Sequence, residues 1–317
     1  MANTAEIFEL QPTNEQEKKR TILHEISSLL AKHLDEDSVI HSPISNLVLA
    51  RSSQPKPPLQ MIHCPSLCIT AQGAKSMAIG GEIFQYSQDS FLLITQTLPA
   101  AGTILKASPE KPYLGMLFKL DRQEVAEIAL SLNANQHYQL PLGTKEQEKT
   151  SVASCEYSIE LLDAIYRLVK LLETPQDIEF MAPVIKKEII YRLLISPVGE
   201  VLAQMVISDS QNNRISKVIT MIREQYNQPL SLTNLADQVH MSVSSLQNHF
   251  KTITQLSPLQ FQKQIRLHEA RRLMMTENMD AKTAGIKVGY NNQSQFNREY
   301  RRLFGFPPST DIKQLKN

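Results

Sequence analysis

The sequence predicts an α+β chain. A small barrel of short strands with flanking helices comes first, and an all-α module with two helix-turn-helix units follows. Three observations lead there. Short alternating apolar runs crowd residues 45–120, helical apolar spacing dominates on either side, and the sign of the charge changes near residue 213. The 317 residues suffice for two domains of about 150 residues each. A hydrophobic fraction of 42 % supplies more than one core. No apolar run approaches the roughly 18 residues of a membrane span, and residues 1–20 lack the apolar stretch of a signal peptide. Three cysteines, Cys64, Cys68 and Cys155, form no disulfide framework. A cytoplasmic chain without membrane attachment is expected.

Net charge is +1, but its distribution is uneven. Residues 214–317 hold 15 Lys and Arg against 7 Asp and Glu, a net +8; the remainder holds 18 against 25, a net −7. Such asymmetry suggests a polyanion-binding module attached to a part that stays off the polyanion.

Residues 12–35 read as a helix with Ile22, Leu23, Ile26, Leu29 and Leu30 at helical spacing, so 1–40 form an N-terminal helix and arm. Five prolines, at 43, 55, 57, 58 and 65, mark irregular chain. Leu67, Ile69 and Ala71 then alternate with Cys68, Thr70 and Gln72. Met77 and Ile79 lead into Gly80-Gly81, and Glu82, Phe84 and Tyr86 follow on one face, a hairpin signal. Further short strands at 91–95, 103–107 and 113–120 place a barrel within 41–150.

A helix is expected at 121–133, and a strongly amphipathic one at 156–172. There Leu161, Ile165, Leu168 and Leu172 form one stripe, and Ile159, Leu162, Tyr166 and Val169 the next. The second stripe faces either another subunit or the same chain's core. Pro183 suits the first turn of a helix over 184–195, and Pro197 stops it. Residues 151–207 thus read as a helical dimerisation and linker region, and the apolar-free 208–213 as a linker.

In the basic third, Ile215, Val218, Ile219, Ile222 and Tyr226 share one helix face, and Pro229 breaks that helix. Ser231 caps the next, which buries Leu235, Ala236 and Val239. After a turn at His240-Met241, Ser242 caps a helix with Leu246 and Phe250 inward, completing a helix-turn-helix. Fifty residues later the pattern recurs. Ser242, Leu246, Phe250, Lys251 and Pro258 correspond to Asn292, Phe296, Tyr300, Arg301 and Pro308. A helix over 259–275, carrying Lys263, Arg266, Arg271 and Arg272, bridges and spaces the units.

The segments PLSLTNLADQVHMSVSSLQNHFK (229–251), LSPLQFQKQIRLHEARRLM (256–274) and VGYNNQSQFNREYRRLFGFPP (288–308) resemble the DNA-binding domain of the AraC/XylS family of bacterial transcription regulators. PSLCITAQGAKSMAIGGEIFQY (65–86), Leu98-Pro99 and KASPEKPYLGMLFKLD (106–121) resemble the N-terminal domain of the YqhC-like subgroup. The resemblance implies a cupin-like barrel that senses an effector, a DNA-binding domain over 214–317, RNA polymerase as a partner, and activation rather than repression. Where the family usually carries Gly near the end of the first recognition helix, this chain has Gln255. A side chain in a left-handed cap costs about 1 kcal/mol, so a cap of different shape is expected. In the second unit Ala284-Gly285 replaces the usual Ile-Ala, which removes a buried side chain and weakens the helix.

Base edges in the major groove need short polar groups on the exposed face of a recognition helix. By their place in the family pattern, Ser244, Gln247, Asn248, Gln293, Ser294 and Arg298 resemble base contacts. Ser242, Lys251, Asn292, Arg301 and Arg302 resemble phosphate contacts that set register. The bridging helix spans about 25 Å, enough to seat the units in successive grooves about 34 Å apart.

For the acidic two thirds, His24, His33, His41, His63 and His137 are too scattered for a metal cluster, and no catalytic order or cofactor motif stands out. Cys64 and Cys68 read as core filler or as an effector-sensing thiol. Three functions are compatible: a regulator of promoter DNA controlled by a small effector, with a possible homodimer; a constitutive DNA-binding regulator whose N-terminal part only dimerises; and a cupin enzyme fused to a DNA-binding domain. The weakened second unit carries an expectation of its own. Amides of 280–305 should exchange faster than those of 231–255 in hydrogen-exchange measurements, and equal protection would remove it.

Overall fold

A computed structural model of the chain describes residues 14–134, 151–206 and 211–316. The first part of the N-terminal arm, the polar stretch before 150 and residues 208–210 of the expected linker lie outside the described residues, and 211–213, expected as linker, instead open a helix.

Ten strands among the described residues pair antiparallel in two sheets. The larger runs in spatial order β1 (Val39–His41), β2 (Leu47–Ser52), β9 (Tyr113–Lys119), β4 (Ser66–Gln72), β7 (Ser90–Ile94) and β10 (Val152–Glu156). The smaller runs β3 (Lys56–His63), β8 (Leu98–Lys106), β5 (Ala74–Ile79) and β6 (Glu82–Ser87). Two facing sheets of this kind are the cupin-like barrel the sequence predicts. Period-two alternation divides the larger sheet: Leu67, Ile69, Phe91 and Leu93 point to one core, and Cys68, Leu92 and Ile94 to the other. The β5–β6 hairpin turns at Gly80-Gly81, both at positive φ (63° and 125°), pairing Ile79 with Glu82. The strand β10 falls in the region read as helical. Its five residues carry no helical period, and its partner β7 lies some sixty positions away, so local pattern does not show it.

One face of the larger sheet packs on helices: α1 (Asn14–His33), α2 (Arg122–Asn133), α3 (Ile159–Lys170), α4 (Ile178–Leu194) and α5 (Gly199–Ala203). The side chain of Asp121 caps α2 by accepting the N–H groups of Gln123 and Glu124. Leu161, Leu162, Ile165, Leu168 and Val169 of α3 are all buried in this core, so its second stripe packs within the chain. The uncovered apolar face belongs to α4, where Phe180 and Val184 are 75 % and 60 % exposed. That helix begins before Pro183, which therefore sits inside it and not in its first turn. A short 3-10 turn at Pro175–Asp177 leads the chain into it, and Pro175 takes the N-terminal place.

The C-terminal helices are α6 (Gln211–Glu224), α7 (Leu232–Gln238), α8 (Val243–Thr254), α9 (Pro258–Thr276), α10 (Ala281–Lys287), α11 (Gln293–Phe304) and α12 (Pro308–Lys316). The first unit, α7 and α8, packs with α6 and α9 and shares that core with the barrel. Ile219, Leu235, Leu246 and Phe250 join Met77, Ile79, Leu92, Ile94 and Leu98 of the barrel in one continuous cluster. The buried Ser151 hydroxyl donates to the Ile253 carbonyl at 2.6 Å, tying the start of β10 to α8. The second unit, α10 and α11, packs separately around Leu267, Leu273, Val288, Phe296 and Tyr300.

Both sequence departures are resolved by packing. Gln255 adopts the left-handed cap (φ 60°), so the cap keeps the shape a glycine would give it. At Gly285 a Cβ would lie 3.1 Å from the Phe296 ring; the ring occupies the room that a larger side chain would need. The seam between barrel and first unit is closer still. A Cβ on Gly80 would fall 1.8 Å from the Gln255 Cβ, whereas one on Gly81 meets nothing within 4 Å. Gly81→Ala should therefore cost only backbone strain, about 1–2 kcal/mol. Gly80→Ala should cost roughly a further 1–3 kcal/mol by forcing the seam apart. Thermal melts of the two variants would measure the difference, and equal losses would mean the seam is not tight.

Candidate nucleic-acid interface and barrel cavity

The two recognition helices α8 and α11 are built alike. The Ser242 side chain accepts the Ser245 N–H at 3.2 Å, and that of Asn292 accepts the Gln295 N–H at 3.0 Å. Capping thus engages an oxygen of each side chain and leaves its donor. Inward go Leu246 and Phe250 in α8, Phe296 and Tyr300 in α11. Position by position, the sequence of buried, half-buried and exposed residues over 242–251 is the same as over 292–301. Ser244, Gln247, Asn248 and Lys251 are exposed, as are Ser294, Arg298, Arg301 and Arg302. Docking on the barrel leaves this face open.

The register also reveals a residue that the sequence analysis does not name as a contact. Asn297 stands fifty residues after Gln247 and is equally exposed. Gln293, by contrast, stands at the half-buried position of Val243, and its amide donates to the Asn297 oxygen at 3.1 Å. Beside α11 an open groove is lined by Asn297, Arg298, Arg301 and Arg302. Among the described residues, no salt bridge engages these arginines or Lys251.

The basic residues of α9 are spent differently. Arg266 donates to the carbonyls of Tyr226 (2.6 Å), Gln228 (2.9 Å) and Gly289 (2.9 Å), lashing the chain before the first unit to the turn of the second. Arg271 forks onto both oxygens of Asp311 at 2.8 Å. Lys263 pairs with Glu299, and Arg272 with Glu269 and Glu277. They fix the spacing of the units, and none of the four is left free for phosphate.

A cavity of about 600 Å³ opens within the barrel. Met61, His63, Cys68, Lys75, Tyr86 and Leu117 line its interior, and Arg271 of α9, Phe304 at the end of α11, Phe306 after it, and Asp311 and Leu315 of α12 border it. Burial lowers the His63 pKa to about 4, so its ring is neutral near pH 7. Its Nδ1 lies 3.0 Å from the Cys64 carbonyl, and its Nε2 lies 3.7 Å from the Cys68 sulfur. Burial pushes both the Cys64 and Cys68 thiols up, so neither is held as a thiolate. Of the two candidate thiols, Cys68 lines the cavity and Cys64 does not. Lys75 escaped the sequence reading, although it shares strand parity with the buried Met77 and Ile79, a signal that a cation points inward. Among the described residues, no three His, Cys, Asp or Glu gather as metal ligands, and no helix is long and apolar enough to cross a membrane.

A family model of the AraC-type transcriptional regulator N-terminus matches residues 43–201, and a helix-turn-helix domain model matches 235–314. The HTH-type transcriptional regulator ArgR of Pseudomonas aeruginosa is 25 % identical over 107 residues, 34 % of this chain and 32 % of the relative. AlkR of Acinetobacter baylyi is 30 % identical over 94 residues, 30 % of this chain and 31 % of the relative. The activator RhaS of Escherichia coli is 21 % identical over 170 residues, 54 % of this chain and 60 % of the relative. The chain thus spans about a third of the first two relatives and less than two thirds of the third. Among solved structures, ToxT from Vibrio cholerae with a bound unsaturated fatty acid shares the fold at TM-score 0.55 and 11 % identity, covering 84 % of this chain and 93 % of that one. ToxT bound to (E)-4-(8-methylnaphthalen-1-yl)but-3-enoic acid gives 0.57 and 11 %, covering 84 % and 97 %.

Burial also lowers the pKa of His268, on α9, to about 4. Both histidines are neutral in the folded chain where an unfolded histidine, near 6.5, already takes up a proton. Above pH 6.5 neither state gains from protonation. Stability should therefore be lost as pH falls from about 6.5 to about 4, by roughly 2 kcal/mol per histidine at pH 5. Melting temperatures across that range would show the slope, and His63→Gln should remove about half of it. A flat profile in the parent chain would contradict the burial of these rings as neutral groups.

Proposed function

Since the chain belongs to the family of AraC-type transcriptional regulators, we propose that it is a sequence-specific DNA-binding regulator, an activator, controlled by a small effector received in the barrel cavity. The observation that carries the reading is the repeated recognition face: two helices with the same burial register, each presenting short polar residues flanked by unpaired cations. Ser244, Gln247 and Asn248, with Ser294, Asn297 and Arg298, read base edges; Gln293 orients Asn297. Ser242, Lys251, Asn292, Arg301 and Arg302 hold phosphates. Promoter duplex DNA and RNA polymerase are the partners this reading implies, and the cytoplasm its location.

The cavity favours effector control over constitutive binding, because Cys68 and Tyr86 line it and also belong to the core shared with the first unit. Structures of ToxT hold acids, which supports a ligand site in this fold. The enzyme alternative has no support in the relatives, which are regulators. Two copies of the chain would meet on the Phe180 and Val184 face of α4. A Phe180→Glu chain that sediments as the parent does would remove that role for the face.

Selection of operator sites from random duplexes with the purified full chain tests the proposal. On the selected site Arg298→Ala should cost about 1–3 kcal/mol and relax one base preference. Lys251→Ala should weaken all sequences alike and lower the salt dependence by about one phosphate contact. Absence of any salt-sensitive preference for a duplex would refute the reading.

A further inference from the structure

We infer that the barrel cavity takes a monoanionic, otherwise apolar molecule, with its anionic head on the Lys75 ammonium. The inference rests on the cavity being the effector site. Its support is an account of which polar groups in the wall are already engaged. Asp37 accepts the backbone N–H and the hydroxyl of Ser53, at 2.6 and 2.9 Å. Asp311 accepts both Arg271 N–H groups and the Tyr300 hydroxyl, the last at 2.7 Å. Arg271 is thereby neutralised, and His63 carries no charge.

Of the two lysines in the wall, Lys56 is exposed to solvent, whereas Lys75 is held inside. It is half-buried on β5, its nitrogen 5.9 Å from the Tyr113 ring centre. No carboxylate pairs with it among the described residues. Arg51 also lines the cavity; its Nη1 holds the Leu34 carbonyl, and its Nε is buried without a partner. A cation facing an apolar enclosure is unfavourable until an anion joins it. The rest of the wall (Met61, Ile104, Leu117 and, at the border, Phe306 and Leu315) offers area to an apolar body and few partners to a polyol. The ligand chemistry is therefore an acid with one charged end.

The test uses the full chain without DNA and three matched probes: octanoate, 1-octanol and octylammonium, with 4-phenylbutyrate as a bulkier acid. Calorimetric titration should show at least one acid binding tenfold or more tighter than octanol, and octylammonium not binding. Lys75→Gln should bring the acid down to the level of octanol, and Lys75→Arg should retain it. Circular dichroism would establish that each variant is folded. Met61→Glu, which supplies an internal carboxylate, should also abolish the preference for the acid, so the result does not hang on one substitution. Equal binding of acid and alcohol, no binding of any probe, or an unaltered acid affinity in folded Lys75→Gln would each overturn the inference. Operator selection without any acid is a separate measurement, so failure of the DNA reading is distinguishable from failure of this one.

Discussion

The structure depends on one apolar seam. Leu92, Ile94 and Leu98 of the barrel and Ile219, Leu246 and Phe250 of the basic third hide each other from water. Each set also packs on residues of its own side, and exposing the faces that meet would forfeit the burial that joins them. The first helix-turn-helix is therefore an outer layer of the barrel, while its polar face stays open. Because Cys68 and Tyr86 belong to both the seam and the cavity wall, whatever fills the cavity presses on side chains that also support α8.

Much of this was legible in the residues. Alternation in 67–72 and 91–94, the Gly80-Gly81 hairpin, and the caps Ser231 and Ser242 all lie in short windows where period and turn chemistry act locally. The repeat at fifty residues carried the recognition face, and its register holds down to the burial of single positions. The missing parts were those decided at a distance. The strand β10 exists because β7 offers it an edge. The second stripe of α3 is covered because α1 and α4 fold over it. The wall that α12 contributes to the cavity has no trace in local pattern.

A charge count sees only part of this arrangement. The change of sign near residue 213 describes surfaces in water, and it pointed to a polyanion-binding part attached to one that stays off the polyanion. The residues that fuse them are apolar and contribute nothing to a charge count. Within the basic third, Lys263, Arg266, Arg271 and Arg272 add to the positive total, yet each is bound to a carboxylate or a carbonyl of the same chain. The cations left to meet a polyanion are fewer, and they cluster at the ends of α8 and α11.

The lash at Arg266 has a consequence for the nucleic acid. A guanidinium that holds the chain ahead of the first unit and the turn of the second stiffens the frame between them. On the proposed reading, a straight B-form duplex need not match that frame. Any curvature the match requires would then come from the double helix, at an elastic cost on the order of 1–6 kcal/mol for a 40–90° bend over 20–30 base pairs. Flexible pyrimidine–purine steps between the two contacted stretches would lower that cost. A sequence preference would thus arise at base pairs that no side chain reaches.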